Sequence, residues 1–468
     1  MRVTTHPLPL DPERQKMYDA VVSRLDADRM RDLLVDLVDI HSPTGAERAA
    51  SEFMAAHLTD RVGIEASYMP VSAETGNVHG VLPGRGGGAD LLLYCPIDTH
   101  IEPDRDVPTV GPYAREDMLP RARVQDGLVV GLGASNPKVM VAGLTEVMHA
   151  IKDAGVEFLG DLSIGFAGGG MPWMNSHRDH VGMSTGVYQL LMRGLYPDYC
   201  LLLKPRPGVY PEEPGMAWIQ VNVRGTFGYA GITRGTPGFR SSIVPAATVI
   251  QEIEAWLPRY TAANTLGTVL PEAWISAVRA GDPDKPAFPS ATTEIFLDLR
   301  INPRTSPADV RAQFAGFIED LRRRHPDIEL DWSMYGSLPG GLTDYDNWII
   351  QSAQRGWEQV SGEPYTETPY QAGQTDGAMI RALGIPTARV GYPWPPAAAP
   401  AELNEGLGGM GVASVEDVLI GVRTIAYSIV DTLTRPRAEL GLPGTPGAVA
   451  GAPGAAGATD ATTTAGGL

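Results

Sequence analysis

LLLYCPIDTH (91–100) is the stretch on which the fold turns. Asp90–Cys95 is a short apolar run of the length expected for a buried strand, and it stops at Pro96 before the polar Asp98-Thr99-His100. Asp161–Ala167 reads the same way and runs into Gly168-Gly169-Gly170; Tyr199–Leu203 runs into Lys204-Pro205. Between the first two lies Val139–Ala154, amphipathic at helical spacing, with Gly155 in the C-terminal capping position. Strand, helix, strand at this spacing predicts an α/β sheet with crossover helices.

Outward from that core, Met30–Ile40 has apolar residues at helical spacing, and Ala46–Leu58 follows as a second helix after the turn SPTG (42–45). The middle of the chain changes character. Met216–Arg224 alternates like a strand, Val244–Trp256 reads as a helix and Thr292–Ile301 as a strand. Ser306-Pro307-Ala308-Asp309 is a helix start, with a capping serine, a first-turn proline and an acid at the third position. Ile328–Met334 closes this α+β block as a strand. The first pattern then resumes: helix Trp348–Val360, helix Asp376–Leu383 before Gly384, strand Thr387–Val390, and a closing helix over Ser414–Leu433. The expected boundaries are 1–213 and 338–438 for the two parts of one α/β domain and 214–337 for the inserted domain. The remainder, 439–468, is rich in Gly, Pro, Ala and Thr and buries too little to offset its ordering entropy, so it reads as a disordered tail.

Composition narrows the function. A chain of 468 residues is too long for one simple core. A formal net charge of −18 argues against nucleic-acid and anionic-membrane partners, which need basic surfaces. Two cysteines, Cys95 and Cys200, form no disulfide framework and suit a reducing cytosol. The opening residues lack the apolar run of a signal peptide, and no stretch reaches the ~18 apolar residues of a membrane helix.

The segments 91–100, GLGASNPK (131–138), LSIGFAGGGMP (162–172), DYCLLLKP (198–205), GQTDGAMIRALGIPTARVG (373–391) and AELNEG (401–406) resemble, in order and wording, the co-catalytic zinc family of acetylornithine deacetylase, succinyl-diaminopimelate desuccinylase and the aminoacylases. The resemblance covers roughly residues 28–435. It implies a zinc-peptidase-like α/β catalytic domain with an inserted α+β dimerisation (lid) domain, in a homodimer. Where that family carries two zinc ions, its motif positions here hold other residues. The His-x-Asp triplet is Pro96-Ile97-Asp98, the bridging aspartate is Asn136, and the Glu-Glu pair of base and ligand is Gly169-Gly170. A further acidic ligand is Lys204, and the last histidine is Ala401, before Asn404-Glu405. The lid's His-Ala-Gly is Tyr229-Ala230-Gly231. One carboxylate and one amide beside a lysine do not make a two-zinc site, so no metal and no cofactor are expected.

The residues expected to act instead are Asp98, Lys204, Lys138, His100 and Tyr229. An Asp98–Lys204 pair would place a fixed positive charge beside a substrate carboxylate or oxyanion, and the Tyr229 hydroxyl would donate to an oxyanion. The expected substrate contacts are Asn136, a backbone nest at Gly169 and Gly170, a carboxylate clamp at Arg240, and the helix-start loop Gln374-Thr375-Asp376. His177 and His180 form a weak metal signature, and Cys95 reads as a small apolar core residue. Three functional readings stand: a metal-independent hydrolase of a C–N bond in a small carboxylate-bearing substrate, a non-catalytic ligand-binding or regulatory protein, and a metal-dependent amidohydrolase with relocated ligands.

Overall fold

Four parallel strands form the centre of the molecule, and their C-terminal ends open on one side. In the computed structural model, which describes residues 9–102, 115–174, 182–369, 371–404 and 410–444, a seven-stranded sheet runs in the order Glu65–Pro70, Gly76–Leu82, Leu162–Ala167, Leu91–Pro96, Tyr199–Pro205, Thr387–Tyr392, Val209–Tyr210. Leu162–Ala167, Leu91–Pro96, Tyr199–Pro205 and Thr387–Tyr392 pair in parallel, and the flanking strands pair antiparallel. Leu91–Pro96, Leu162–Ala167 and Thr387–Tyr392 are buried throughout, which is why they read as unbroken apolar runs rather than alternating ones. His177, His180, Glu405 and residues 445–468 of the expected tail lie outside the described residues.

Local chemistry sets the helix ends. Asp26 accepts hydrogen bonds from Asp28 N and Arg29 N and starts the helix Ala27–Asp39, whose stripe Met30, Leu33, Leu34, Leu37 and Val38 is buried. Val139–Ala154 packs against it and ends on Gly155 at φ 63°, as its sequence predicts. The sequence pattern does not mark several described elements, among them the helices Pro12–Val22 and Thr185–Met192, the hairpin Glu65–Pro70/Gly76–Leu82 and the strand Ala273–Ala280.

A second sheet of four antiparallel strands runs in the order Ala273–Ala280, Thr292–Ile301, Gly215–Arg224, Leu330–Leu338. Helices Ile243–Asn264 and Pro307–Arg324 give it a core of its own around Val221, Ile253, Phe314 and Ile318. The second helix begins with the expected capping box between Ser306 and Asp309. Thr292–Ile301 strictly alternates buried and half-buried residues, the mark of a sheet covered on one face.

Candidate functional site

The strand ends carry two layers of polar residues. The lower layer is a set of buried carboxylates. Asp98, just past Leu91–Pro96, is wholly buried, and its two oxygens accept from Thr44 Oγ1 (2.7 Å), Met171 N (2.9 Å) and Gly170 N (3.0 Å). Glu47 is also wholly buried and accepts from Gly45 N (2.7 Å), Gly169 N (2.9 Å) and the Thr75 hydroxyl. Asp376 accepts from Tyr94 Oη at 2.6 Å, while its Oδ1 completes no hydrogen bond.

The glycine run is what admits this layer. A Cβ on Gly170 would lie 2.5 Å from Pro96 Cβ and 2.7 Å from Asp376 Oδ2, and one on Gly168 would lie 2.9 Å from Glu47 Cδ. Gly169 itself sits at φ 67°, where a side chain is strained. The nest expected at Gly169 and Gly170 to take a substrate anion therefore takes the protein's own Glu47 and Asp98. Glu47 went unread because its segment, SPTGAE, was taken only as a turn and a helix start.

Burial then sets the protonation of this layer. Burial and the neighbouring Glu47 charge push Asp98 up to about 7, against the hydrogen bonds from Thr44, Met171 and Gly170. Burial lifts Asp376 to about 6; the nearby Ser184 hydroxyl, Tyr94 and Lys204 oppose it. Glu47 is raised chiefly by burial as well. Carboxyls with raised values hold protons more tightly folded than unfolded, so their stabilisation is complete below the ordinary carboxyl range and is lost as pH rises through about 6 to 7. Melting temperature is expected to fall across that window, and Asp376→Asn, which keeps an acceptor for Tyr94, should flatten the fall. Melts that are level with pH, or a slope unchanged in the variant, would contradict these assignments.

The upper layer lines a cavity of about 280 Å³ formed by Asn136, Lys204, Pro205, Arg206, Glu272, Gln371–Thr375, Arg389, Trp394 and Met410. Lys204 ends the strand Tyr199–Pro205, is 7% exposed, and donates to Asn136 Oδ1 at 3.1 Å. Among the described residues it has no carboxylate within 4 Å, so the expected Asp98–Lys204 ion pair does not form; Asp98 is saturated by Thr44 and by the glycine loop at Gly170 and Met171. Burial pulls the Lys204 ammonium below its ordinary value, and Asp376 works against that pull. Arg389 lies at the wall with its NH1 3.0 Å from Glu213, its NH2 2.9 Å from Pro205 O, and its guanidinium over the Tyr210 ring. Thr375 donates to Glu213 at 2.7 Å and accepts from Gly377 N at 3.1 Å, so it caps the helix start while Asp376 turns inward. Gln374 lines the cavity and donates to Thr375 O.

The other expected site residues lie elsewhere. Lys138 is buried and donates to Leu37 O (2.6 Å) and Ile40 O (2.5 Å), closing the C-terminal end of the helix Ala27–Asp39. The last carbonyls of a helix lack intrahelical donors, and this ammonium supplies one. Tyr229 is half exposed and packs on Phe288 at 5.8 Å, in an aromatic surface cluster with Phe227. Arg240 is exposed and does not line the cavity, and neither does the partly buried His100. Cys95 and Cys200 are buried with their thiols pushed up by burial, as expected of core residues. Glu272, Gln371, Arg389 and Trp394 were not singled out from the sequence. Arg389 sits in a quoted motif, but nothing in the spacing marks the other three.

No family model matches the chain. Solved structures do. Human carnosine dipeptidase 1 superposes with a TM-score of 0.66 at 12% identity, covering 91% of this chain and 100% of that one. An M20 family metallo-carboxypeptidase from Sulfolobus solfataricus gives 0.62 at 11%, covering 87% and 99%. A hydantoinase/carbamoylase family amidase from Burkholderia multivorans gives 0.57 at 13%, covering 88% and 99%. These likenesses correct one expectation. A fold used by a metallo-carboxypeptidase is one that houses metal, so the expectation of no cofactor does not stand. The side chains in view do not fit a metal centre either. Among the described residues no three His, Cys, Asp or Glu side chains are grouped to hold an ion, and Asp98 has both oxygens engaged by donors. Metal content is thus a quantity to measure. At these identities the likeness speaks for the fold: the chain carries the α/β fold of the M20-type metallo-carboxypeptidase and of the hydantoinase/carbamoylase amidases.

Proposed function

We propose that this chain is a hydrolase of an amide-type C–N bond in a small, carboxylate-bearing compound. The observation that carries the reading is Lys204, a buried ammonium with no carboxylate in ion-pair reach among the described residues, placed at the wall of a cavity at the ends of the parallel strands. Arg206 lines the same cavity, and Arg389, whose charge is paired with Glu213, turns an unpartnered Nε donor to its wall, so a substrate carboxylate meets the charges of Lys204 and Arg206 and further donors there. In this reading Lys204 and Arg389 hold the carboxylate, Asn136 orients Lys204, and the Gln374-Thr375 loop closes one side. Glu272 is the carboxylate among the described lining residues, and in this reading it takes the proton from the attacking water. The peptidase and amidase names of the fold's relatives support amide chemistry. We read residues 214–337 as a lid over this cleft, and the assembly as a cytosolic homodimer whose free cysteines suit a reducing compartment.

A screen of N-acyl amino acids, ureido acids, dipeptides and cyclic amides, read by release of amine, tests the reading. Each is assayed on protein as purified, after chelation, and with zinc, manganese or cobalt restored, with metal content measured alongside. Release of amine from a carboxylate-bearing amide, lost in Glu272→Gln, is expected. Binding without turnover under every metal condition would instead establish the second reading, a ligand-binding protein, which the saturation of Asp98 favours.

A further inference from the structure

Lining side chains of the cavity hold buried polar atoms that have no hydrogen-bond partner: Gln371 Oε1 and Nε2, Arg389 Nε and Trp394 Nε1. A buried polar atom left unpaired is destabilising, and a cluster of them around one space calls for a bound partner. Gln371 is the clearest case. Its side chain is 1% exposed, and its backbone is fixed, with its N–H donating to Thr268 O at 2.7 Å and its carbonyl accepting from Leu270 N at 2.9 Å. The side chain is thus not a spare strand residue; it is a carboxamide held at a set place with both polar ends open.

Donor and acceptor types restrict what fits. Arg389 Nε and Trp394 Nε1 are donors only, so the ligand must bring acceptors to them. Gln371 presents one acceptor and a donor pair side by side, and its complement is an N–H with an acceptor oxygen on the same side; in a trans N-acyl amino acid these are the amide N–H and a carboxylate oxygen. From this complementarity we propose that Gln371 is a specificity-determining residue: its Oε1 accepts the amide N–H of the ligand and its Nε2 donates to the carboxylate oxygen on the same side, while Lys204, Arg389 and Trp394 take the rest of the carboxylate. This rests on the substrate class proposed above and adds the group that is read and the residue that reads it. An ester in place of the amide removes the N–H and sets an oxygen lone pair against Gln371 Oε1.

The test compares N-acetyl-L-alanine with O-acetyl-L-lactate, which differ only by N–H against O. Binding to the full chain is measured by calorimetry, with the integrity of each probe followed by NMR. The amide is expected to bind at least about tenfold tighter, the effect of one buried hydrogen bond. Gln371→Leu should bring the two within about threefold. Gln371→Glu keeps the size and polarity of the side chain should the leucine variant not fold; it sets an anion beside an anionic ligand and should weaken both probes. Equal binding of the two probes by the unmodified chain, binding of neither, or variants that keep the original affinities and preference would overturn the proposal. Preferential binding of the amide with no turnover leaves this recognition intact and removes the hydrolytic reading. Hydrolysis of the amide with equal affinity for both probes does the reverse.

Discussion

Lys204→Met is expected to weaken binding of N-acetyl-L-alanine by at least about thirtyfold, because truncating one partner of a buried, hydrogen-bonded charge pair costs roughly 2–5 kcal/mol. Methionine keeps the length and apolar stem of lysine, so the loss reports the ammonium rather than a hole. The argument rests on what surrounds the charge. Asn136 is the hydrogen-bond partner described for Lys204, and an amide oxygen does not neutralise an ammonium. Asp376 and Asp98 oppose the pull of burial on this ammonium, but neither reaches it within ion-pair distance, so no described carboxylate takes the place of an anion in the cavity. Calorimetry measures the loss, and the melting temperature checks that the variant folds. A folded variant that binds as the original does would remove Lys204 from the site and take the carboxylate-binding reading with it.

Much of this arrangement is legible from residues alone, and the limit has a physical cause. The parallel strands announce themselves because burial on both faces leaves unbroken apolar runs, as in Leu91–Cys95. The helix Val139–Ala154 is bounded by Gly155, and the helix after Ser306 by its capping box. Long range defeats the same reading. Lys138 is two residues from Asn136 in sequence, yet its ammonium goes to Leu37 O and Ile40 O, a choice made by a helix end a hundred residues earlier. The glycines at 168–170 look like an empty anion nest until Glu47 and Asp98 arrive from two other loops. Gln371 and Trp394 carry no motif at all; what marks them is unpaired atoms in a buried wall, a property of the folded chain. Local pattern thus predicts elements well, whereas the pairing of buried polar groups is decided by which elements meet.

The same dependence on distant partners makes Glu213→Gln the largest stability loss expected in this protein. Glu213 is wholly buried; its carboxylate meets Arg381 at 2.5 Å and Arg389 at 3.0 Å, and accepts from Thr375 Oγ1 at 2.7 Å. Its neighbour Glu212, equally buried, takes Arg304 at 2.5 Å, Thr268 Oγ1 at 2.8 Å and Tyr345 Oη at 3.2 Å. These two residues stand immediately before Gly215, where the chain enters the four-stranded sheet, so one carboxylate grips the large sheet and the other the segment leading to Val269. Removing the charge of Glu213 leaves two buried guanidinium groups facing each other, and breaking a buried pair in this way costs about 3–5 kcal/mol. Arg48→Ala, whose partner Glu52 is half exposed, should cost no more than about 1 kcal/mol and serves as the surface control. Acid gives a second check. Burial pushes the Glu213 carboxyl up, but Arg381, Arg389 and Thr375 together hold it below its ordinary value, so its stabilisation is present above the usual glutamate range and is lost as pH falls through the lowered value. The unmodified chain should therefore lose melting temperature in acid more steeply than Glu213→Gln. A variant that melts with the surface control, or with the same acid slope as its parent, would mean that Arg381 and Arg389 are neutralised by something other than Glu213. If the loss does appear, ligand affinity should fall with it, since Arg389 and Thr375 are both cavity wall and partners of Glu213, and the junction between the sheets would then be part of how the cavity is held open.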